Sequence, residues 1–444
     1  DASKLFDLKQ CVFRAHVFVM KQGKMILYFN VHHIAFDGAS LRIFVDDLER
    51  FYRDETLEPL GIQYYHYAQW QRKALTSEYV SSELIFWKKY LDGAPTILDL
   101  PFDFDAQDGF DHGGLYSLDT EASLFSQIQE FSSLKRVQLY AIFLSAYGML
   151  LCSHGNAKDI LVATPTCSIT PLRNSAACSP NYKGTSNTIG FFVNTIISRV
   201  NINHGDTFED VVHRLNDCMF DLLQHLDISF EDIIRAANPV RQKGRSPLVQ
   251  TMLSIFGSFE DIPVFGSSGQ LALHSSPGTQ FDISLIVEVK NSSFVLHFAY
   301  RRDYFEACTI RNLAARYISI LQAFLADPSQ PAQNVHSMWQ QENRATFLEI
   351  KHERNQFSSS MINAFAEHPN SIAIIDRSTS VSYFVLSSYI FYASRKLQEL
   401  GFNVGDRCMV VLLPSIDVIV WAAAIFFLGG IYVPVDPSNP RKRN

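Results

Sequence analysis

The hydrophobic pattern near the start of the chain predicts a strand, a polar turn and a helix in immediate succession. The apolar, β-branched run at residues 24–31 is typical of a strand, and it ends abruptly at His32 and His33, ahead of Asp37 and Gly38. The stripe of an amphipathic helix follows at once, at Leu41, Phe44, Leu48 and Phe51. The two histidines are therefore expected at a junction between elements, where functional side chains are common.

Helical and strand patterns continue to about residue 325 and predict a mixed α/β region without an internal repeat. We expect helices over Tyr67–Leu91 and Glu121–Cys152, strands over residues 158–165 and 190–200, and loops over Asp92–Gly114 and Ser168–Thr188.

The composition shifts to Pro, Gln, Ser and Asn between Asp327 and Asn334, which marks a domain boundary. Beyond it the pattern predicts a second α/β unit. We therefore expect one domain over residues 1–330, a linker over 331–352 and a further unit over 353–444. A length of 444 residues, beyond what a single core usually serves, favours the same division.

Composition and charge exclude several functional classes. With 47% hydrophobic and 19% charged residues the chain is an ordinary globular protein. Its net charge is −7 and its 38 Lys and Arg residues are scattered, so we expect no nucleic-acid partner. The apolar stretch Val418–Val435 is interrupted by two glycines and a proline, so we expect no membrane span.

The seven cysteines lack the paired spacing of a zinc site or a disulfide framework. We therefore expect free thiols, no metal and a cytoplasmic location.

The segment HHIAFDG, residues 32–38, resembles the HHxxxDG core of nonribosomal peptide synthetase condensation domains, which belong to the chloramphenicol acetyltransferase-like superfamily. The resemblance implies a two-lobed α/β condensation fold. Further segments follow in the family's order, namely FDL near the start, YYHYAQW, LDGAP, IGFFVNT, HLDISFEDII, RSPLVQ and TQFDISL. The family's long N-terminal portion before FDL is not in the sequence, so we expect an incomplete first lobe whose core lacks partner strands.

The last unit resembles the beginning of an adenylation (AMP-binding) domain, through the stretch that starts at VSYFVLSS and reaches GGIYVPVDP. No Ser/Thr/Gly-rich phosphate loop follows, so ATP and Mg are expected only for a complete adenylation domain. The order of condensation and then adenylation is that of an elongation module.

The resemblance implies amide-bond formation between two acyl groups that are tethered as phosphopantetheine thioesters to upstream and downstream carrier domains. It assigns proton handling to His33, with His32 beside it. An α-amine has a pKa of roughly 7.7 to 8 and an imidazole one of about 6.5, so an imidazole can accept or steer the proton that leaves the amine. Because holding two tethered substrates together could supply most of the rate, His33 is expected to orient the amine or stabilise charge more than to abstract a proton. No directly bound cofactor is expected.

The remaining candidates support this histidine or line the substrate path. Asp37 is expected to fix the turn and hold the imidazole. Gly38 is expected to permit a special backbone angle or a close approach, with its N–H toward the developing oxyanion. Asn194 and Ser40 are candidates for the substrate channel. Taken singly, the His–His pair is a surface feature, Asp-Gly is a turn, and Asn194 is a core residue satisfied by backbone; the shared order of segments favours the functional interpretation.

Departures from the family pattern leave alternatives open. Ile169 stands where the family has an arginine that pairs with the motif aspartate, and Arg173 is the candidate substitute. Without a cation, a buried Asp37 would be costly or protonated. His66 replaces an aspartate and Ala39 a tryptophan. The alternatives are ester formation or coenzyme A-dependent acyl transfer on the same fold, and a catalytically impaired docking fragment.

Overall fold

The computed structural model describes residues 4–21, 24–104, 113–155, 157–167, 187–258, 265, 279–335, 356–376, 379–413 and 415–435. The chain forms two compact units, Asp1–Gln333 and Asn334–Asn444, which are described separately below.

The first unit is a mixed α/β structure. Its described strands are β1 Phe13–Val19, β2 Met25–Val31, β3 Gly113–Asp119, β4 Asp159–Cys167, β5 Val193–Asn201, β6 Thr251–Gly257, β7 Ile283–Val289 and β8 Phe294–Arg301. Its described helices are α1 Gly38–Tyr52, α2 Tyr64–Ala74, α3 Ser77–Tyr90, α4 Ala122–Lys135, α5 Leu139–His154, α6 Phe208–Leu222, α7 Phe230–Ala237 and α8 Ala307–Ala326.

A six-stranded sheet in the order β3-β8-β7-β6-β4-β5 carries the main core of this unit. The β4–β6 and β6–β7 pairs are parallel and the others antiparallel. One face is apolar: Phe294 contacts Phe143 of α5, and Phe298 contacts Tyr317 of α8. Because α5 is apolar on all sides and almost wholly buried, it is the central helix of this core.

The strands β1 and β2 form an antiparallel hairpin, and in the described part of the chain they pair only with each other. Apolar side chains on the hairpin are exposed, among them Val17 at 60%, Val19 at 76% and Met25 at 62%. The predicted strand before His32 is confirmed as β2.

Two long helices predicted from the sequence are each two helices in the structure. The predicted helix Tyr67–Leu91 is broken at Thr76, whose side chain accepts the Tyr79 N–H and begins α3. The predicted helix Glu121–Cys152 is broken at Arg136, which has a left-handed φ of 55° and ends α4. Each break lacks glycine and proline, so the apolar periodicity continued across it and concealed it.

Within the described ranges, no one helix combines the length and hydropathy that a membrane span requires. The helices α4 and α5 meet that criterion only when they are taken together, and they are bent by 112° at the break between them.

The second unit contains, in its described part, the helices α9 Gln356–Glu367, α10 Tyr383–Glu399 and α11 Ile416–Phe427. Its strands are β9 Ile372–Asp376, β10 Thr379–Ser382, β11 Arg407–Val411 and β12 Ile431–Val435. β9 and β10 pair antiparallel, and β11 and β12 pair parallel. α10 and α11 pack together around buried residues such as Ile390 and Ala424.

The buried histidine at the end of α5 predicts an acid-sensitive fold. Burial, and then the charge of Arg316, lower the pKa of His154 from its ordinary 6.5 to about 3. The unfolded chain therefore binds a proton that the folded chain does not, and stability falls as the pH drops from about 6.5 to about 3. At pH 5 we expect a loss of about 2 kcal/mol from this group.

Urea unfolding of wild type and His154→Leu at pH 7 and pH 5 measures this loss. The variant should show a smaller difference between the two pH values than the wild type does. Equal differences in both proteins would assign the acid sensitivity to other groups.

Candidate active site

The two predicted histidines lie where β2 ends, and His32 holds the turn. Its Nδ1 atom accepts the backbone N–H of Ile34 at 3.1 Å, and its own backbone N–H donates to the carbonyl of Val12 at 2.8 Å. The ring of Phe6 packs edge-on against it, with the ring centroids 5.8 Å apart. The imidazole of His32 is thus engaged with its own chain, unlike that of the next residue.

His33 begins a short 3₁₀ helix, His33–Ala35, and is exposed. Its ring meets the ring of Phe191 at 86°, with the centroids 5.2 Å apart. Phe191 lies just before β5, so this contact joins the end of the β1–β2 hairpin to the approach to the six-stranded sheet. The ring is therefore exposed to solvent and packed on one side against an aromatic neighbour.

Asp37 caps α1 and ties that helix to the same stretch of chain. Its carboxylate is buried, with the residue only 3% exposed. Oδ1 accepts the N–H and the hydroxyl of Ser40 at 2.9 and 2.8 Å, and Oδ2 accepts the N–H of Phe192 at 3.0 Å. Hydrogen bonds to a carboxylate are among the stronger ones, so Asp37 fixes α1 relative to the residue next to Phe191.

The two positions considered for a cationic partner of Asp37, Ile169 and Arg173, both lie outside the described residues. In the part of the chain that the structure does describe, the donors to Asp37 are the neutral groups of Ser40 and Phe192. Both carboxylate oxygens are thereby satisfied, which offsets much of the cost of burying this side chain.

Three side chains, those of Asp37, Ser40 and Tyr64, hold residues 190–192 in place through hydrogen bonds. We call this set of side chains the 190–192 clamp. Ser40 Oγ accepts the Gly190 N–H at 3.0 Å. Its hydroxyl has two acceptors within reach, Asp37 Oδ1 at 2.8 Å and the Gly190 carbonyl oxygen at 3.0 Å. Tyr64 donates its hydroxyl to the Phe191 carbonyl at 2.9 Å. Burial, and then the charge of Asp37, raise the pKa of Tyr64, which keeps this donor protonated.

The predicted channel residue Ser40 is thus 1% exposed and engaged in the clamp, and its place in a substrate channel stays a prediction. Tyr64, Gly190 and Phe191 were not singled out from the sequence. The signal was present, because all three lie in the segments YYHYAQW and IGFFVNT, but nothing in either segment indicates that the two meet.

The prediction that Gly38 provides a special backbone angle or permits a close approach is wrong. Its φ is not in the left-handed region, and a Cβ atom built on it meets nothing within 4 Å. The glycine that a close approach requires is Gly190, where an added Cβ would fall within the ring of Tyr64. Gly38 is the first residue of α1, and a role for its N–H stays a prediction.

Asn194, the other predicted channel residue, lies on β5 with its amide fully engaged. Nδ2 donates to the carbonyls of Leu226 and Ile228, each at 2.7 Å, and Oδ1 accepts the N–H of Thr195 at 2.8 Å. This arrangement pins the turn around Asp227 to the sheet. Contact between this side chain and a substrate stays a prediction.

His66, which departs from the family pattern, keeps a local function. Its Nδ1 accepts the backbone N–H of Gln63 at 3.1 Å, and it forms a capping box at the start of α2. An aspartate at this position accepts the same hydrogen bond, so the substitution leaves the helix cap in place. Tyr64, the first residue of the helix, therefore stays positioned for the clamp.

Comparison with known proteins identifies the family of this chain. The family model for the condensation domain matches residues 1–347, which is most of the chain. The chain belongs to the condensation-domain family. The family model for AMP-binding enzymes matches residues 362–443, which lie in the second unit.

Relatives of this condensation domain are large synthetases. Malpinin synthetase of Mortierella alpina is 26% identical over 99% of this chain and 6% of its own length. Gramicidin S synthase 2 of Brevibacillus brevis is 26% identical over 99% of this chain and 10% of its own length. Bacitracin synthase 1 of Bacillus licheniformis is 25% identical over 98% of this chain and 8% of its own length. The chain thus spans a small part of each relative.

Solved structures share the fold. A four-domain nonribosomal peptide synthetase bound to AMP and glycine superposes with a TM-score of 0.66 at 21% identity, covering 98% of this chain and 34% of that one. The X-domain from teicoplanin biosynthesis has a TM-score of 0.64 at 21% identity, covering 75% of this chain and 76% of that one. The predicted condensation fold is therefore confirmed.

Proposed function

We propose that the condensation domain forms an amide bond between a donor acyl group and an acceptor aminoacyl group, both tethered to carrier domains as phosphopantetheine thioesters. One observation carries the proposal: the exposed imidazole of His33 is held at the end of β2 against Phe191, on a segment fixed by the 190–192 clamp. An imidazole held in one place and open to substrate suits proton transfer at neutral pH.

The proposed reaction needs few catalytic groups besides the imidazole of His33. The acceptor amine forms a bond to the donor carbonyl carbon, the carbon–sulfur bond of the donor thioester breaks, and the proton lost by nitrogen passes through His33 to the departing thiolate. Thioesters react readily with amines, so holding the two arms together supplies a large part of the rate. His33 then steers the proton and stabilises the charge that develops.

The second unit extends the proposal to a module. Because the AMP-binding match follows the condensation match along the chain, we place the pair in an elongation module. We place the reaction in the cytoplasm. The free thiols of Cys11, Cys152, Cys218 and Cys408 suit such a reducing compartment.

The test uses the full-length protein that carries this chain, with donor and acceptor carrier domains loaded separately. Mass spectrometry should find the dipeptidyl thioester on the acceptor carrier. A hydroxyacyl acceptor that reacts faster than an aminoacyl acceptor would favour ester formation, and transfer from an acyl coenzyme A without a donor carrier would favour the coenzyme A alternative. Absence of every product, with both carriers bound, would favour a docking role and overturn the proposal.

A further inference from the structure

Three side chains on one face of the six-stranded sheet form a row of nucleophile, base and carboxylate. Ser117 of β3 lies directly opposite His297 of β8, and its Oγ is 2.8 Å from His297 Nδ1. His297 Nε2 is 3.1 Å from Oε2 of Glu288 on β7. Because Ile286 is opposite His297 and side chains alternate along a strand, Glu288 lies on the same face. The row lies on the opposite face from the core residue Phe298.

The carboxylate at one end of the row determines where the protons lie. Burial alone would raise the pKa of Glu288, but hydrogen bonds from Ser258, at 2.6 Å, and from His297, with the charge of Lys290, bring it below its ordinary value. An ionised carboxylate only accepts, so His297 Nε2 carries a proton. In the neutral ring Nδ1 is then an acceptor, and the Ser117 hydroxyl donates to it.

The serine of this row is more exposed to solvent than the histidine and the glutamate, as a nucleophile requires. Ser117 is exposed, and β3 is the last strand of the described sheet on its side. The side chains of His297 and Glu288 are only 21% and 15% exposed. A reagent therefore reaches the serine, while the groups that hold and polarise it are largely covered.

We propose that Ser117 is an activated nucleophile that accepts an acyl group from an activated ester or thioester, with His297 as its general base and Glu288 as the residue that orients the imidazole. Ser117 Oγ forms a bond to the acyl carbon, and the carbon–oxygen or carbon–sulfur bond to the leaving group breaks. The hydroxyl proton passes to Nδ1 and then to the departing alkoxide or thiolate. This site shares no residue with the His33 site and does not depend on the amide-forming reaction.

The probe is p-nitrophenyl acetate, applied to the full-length protein, with peptide mass spectrometry to locate the acetyl group. Ser123 is the internal control, since it is also exposed but its hydroxyl donates to Glu121 at 3.1 Å instead of to an imidazole. We expect Ser117 to be acetylated about 100-fold faster than Ser123. His297→Asn should remove most of this advantage, and Ser117→Ala should remove the adduct.

Acetylation of Ser117 no faster than that of Ser123 in the folded wild-type protein would overturn the proposal and leave the row as a cross-strand structural link. This comparison needs no variant, so it stands even if a substitution in the sheet disturbs folding. A His297→Asn protein that keeps its circular dichroism spectrum and its fast labelling would also overturn it, because the imidazole would then not be the base.

Discussion

Replacement of His33 by alanine is expected to slow the formation of the dipeptidyl thioester by about 100-fold or more. The imidazole is exposed at the end of β2 and packs against Phe191, so its removal takes away the group that we propose accepts or steers the proton. The backbone of residue 33 is retained by the short 3₁₀ helix, and the buried clamp around Asp37 is untouched. The measurement is single-turnover product formation with preloaded carriers in the full-length protein.

The control for this variant is His204→Ala, which removes an exposed histidine from the loop after β5. We expect that protein to keep wild-type turnover. Carrier binding by both variants should match the wild type, because only the chemical step is altered. Unchanged turnover in His33→Ala would remove this residue from the mechanism and leave the rate to the positioning of the two tethered substrates.

Replacement of Arg245 by alanine is expected to destabilise the first unit by about 3–5 kcal/mol. Arg245 Nε donates to Asp282 Oδ2 at 2.8 Å and its Nη2 donates to the Leu98 carbonyl at 2.7 Å. The two side chains of the ion pair are 8% and 1% exposed. Loss of the arginine removes these hydrogen bonds and takes one cation away from the buried Asp282 carboxylate, which is the costly way to break such a pair.

The matched control is Arg235→Ala, because Arg235 forms an ion pair with Asp232 at 2.9 Å but is 78% exposed. Such a surface pair contributes about 0–1 kcal/mol, so this variant should unfold close to wild type. The measurement is denaturant unfolding followed by tryptophan fluorescence, to which the buried Trp87 of the first unit contributes. Adding Asp282→Asn to Arg245→Ala should recover part of the loss; equal unfolding midpoints for the Arg245 and Arg235 variants would contradict the expectation.

The Arg245–Asp282 ion pair joins two sequence segments whose contact could not be predicted from the sequence. RSPLVQ and TQFDISL were both recognised as family segments, yet their separation along the chain gave no reason to join Arg245 to Asp282. The same holds for YYHYAQW and IGFFVNT, which meet when Tyr64 bonds the carbonyl of Phe191 and packs over Gly190. Recognition of each segment came from the sequence, but the contact between them required the fold.

Local structure was predicted well where a short-range pattern decides it. The strand before His32, the amphipathic α1 and the strand β5 follow from side-chain periodicity, which depends on neighbours a few residues away. Prediction failed where a break depends on one hydrogen bond or one dihedral angle. Thr76 caps α3 and Arg136 ends α4 inside stretches whose sequence pattern predicted one continuous helix each.

The sequence by itself determined the family, the mixed α/β class and the position of the histidine turn, because each depends on the order and local spacing of residues. The tertiary structure alone decided which of the candidate side chains are exposed and which are used within the fold. It leaves His33 exposed while Ser40 and Asn194 bond to the backbone, and it brings Ser117, His297 and Glu288 into one row. Those outcomes depend on strand pairing and packing between residues far apart in the chain, which no local pattern encodes.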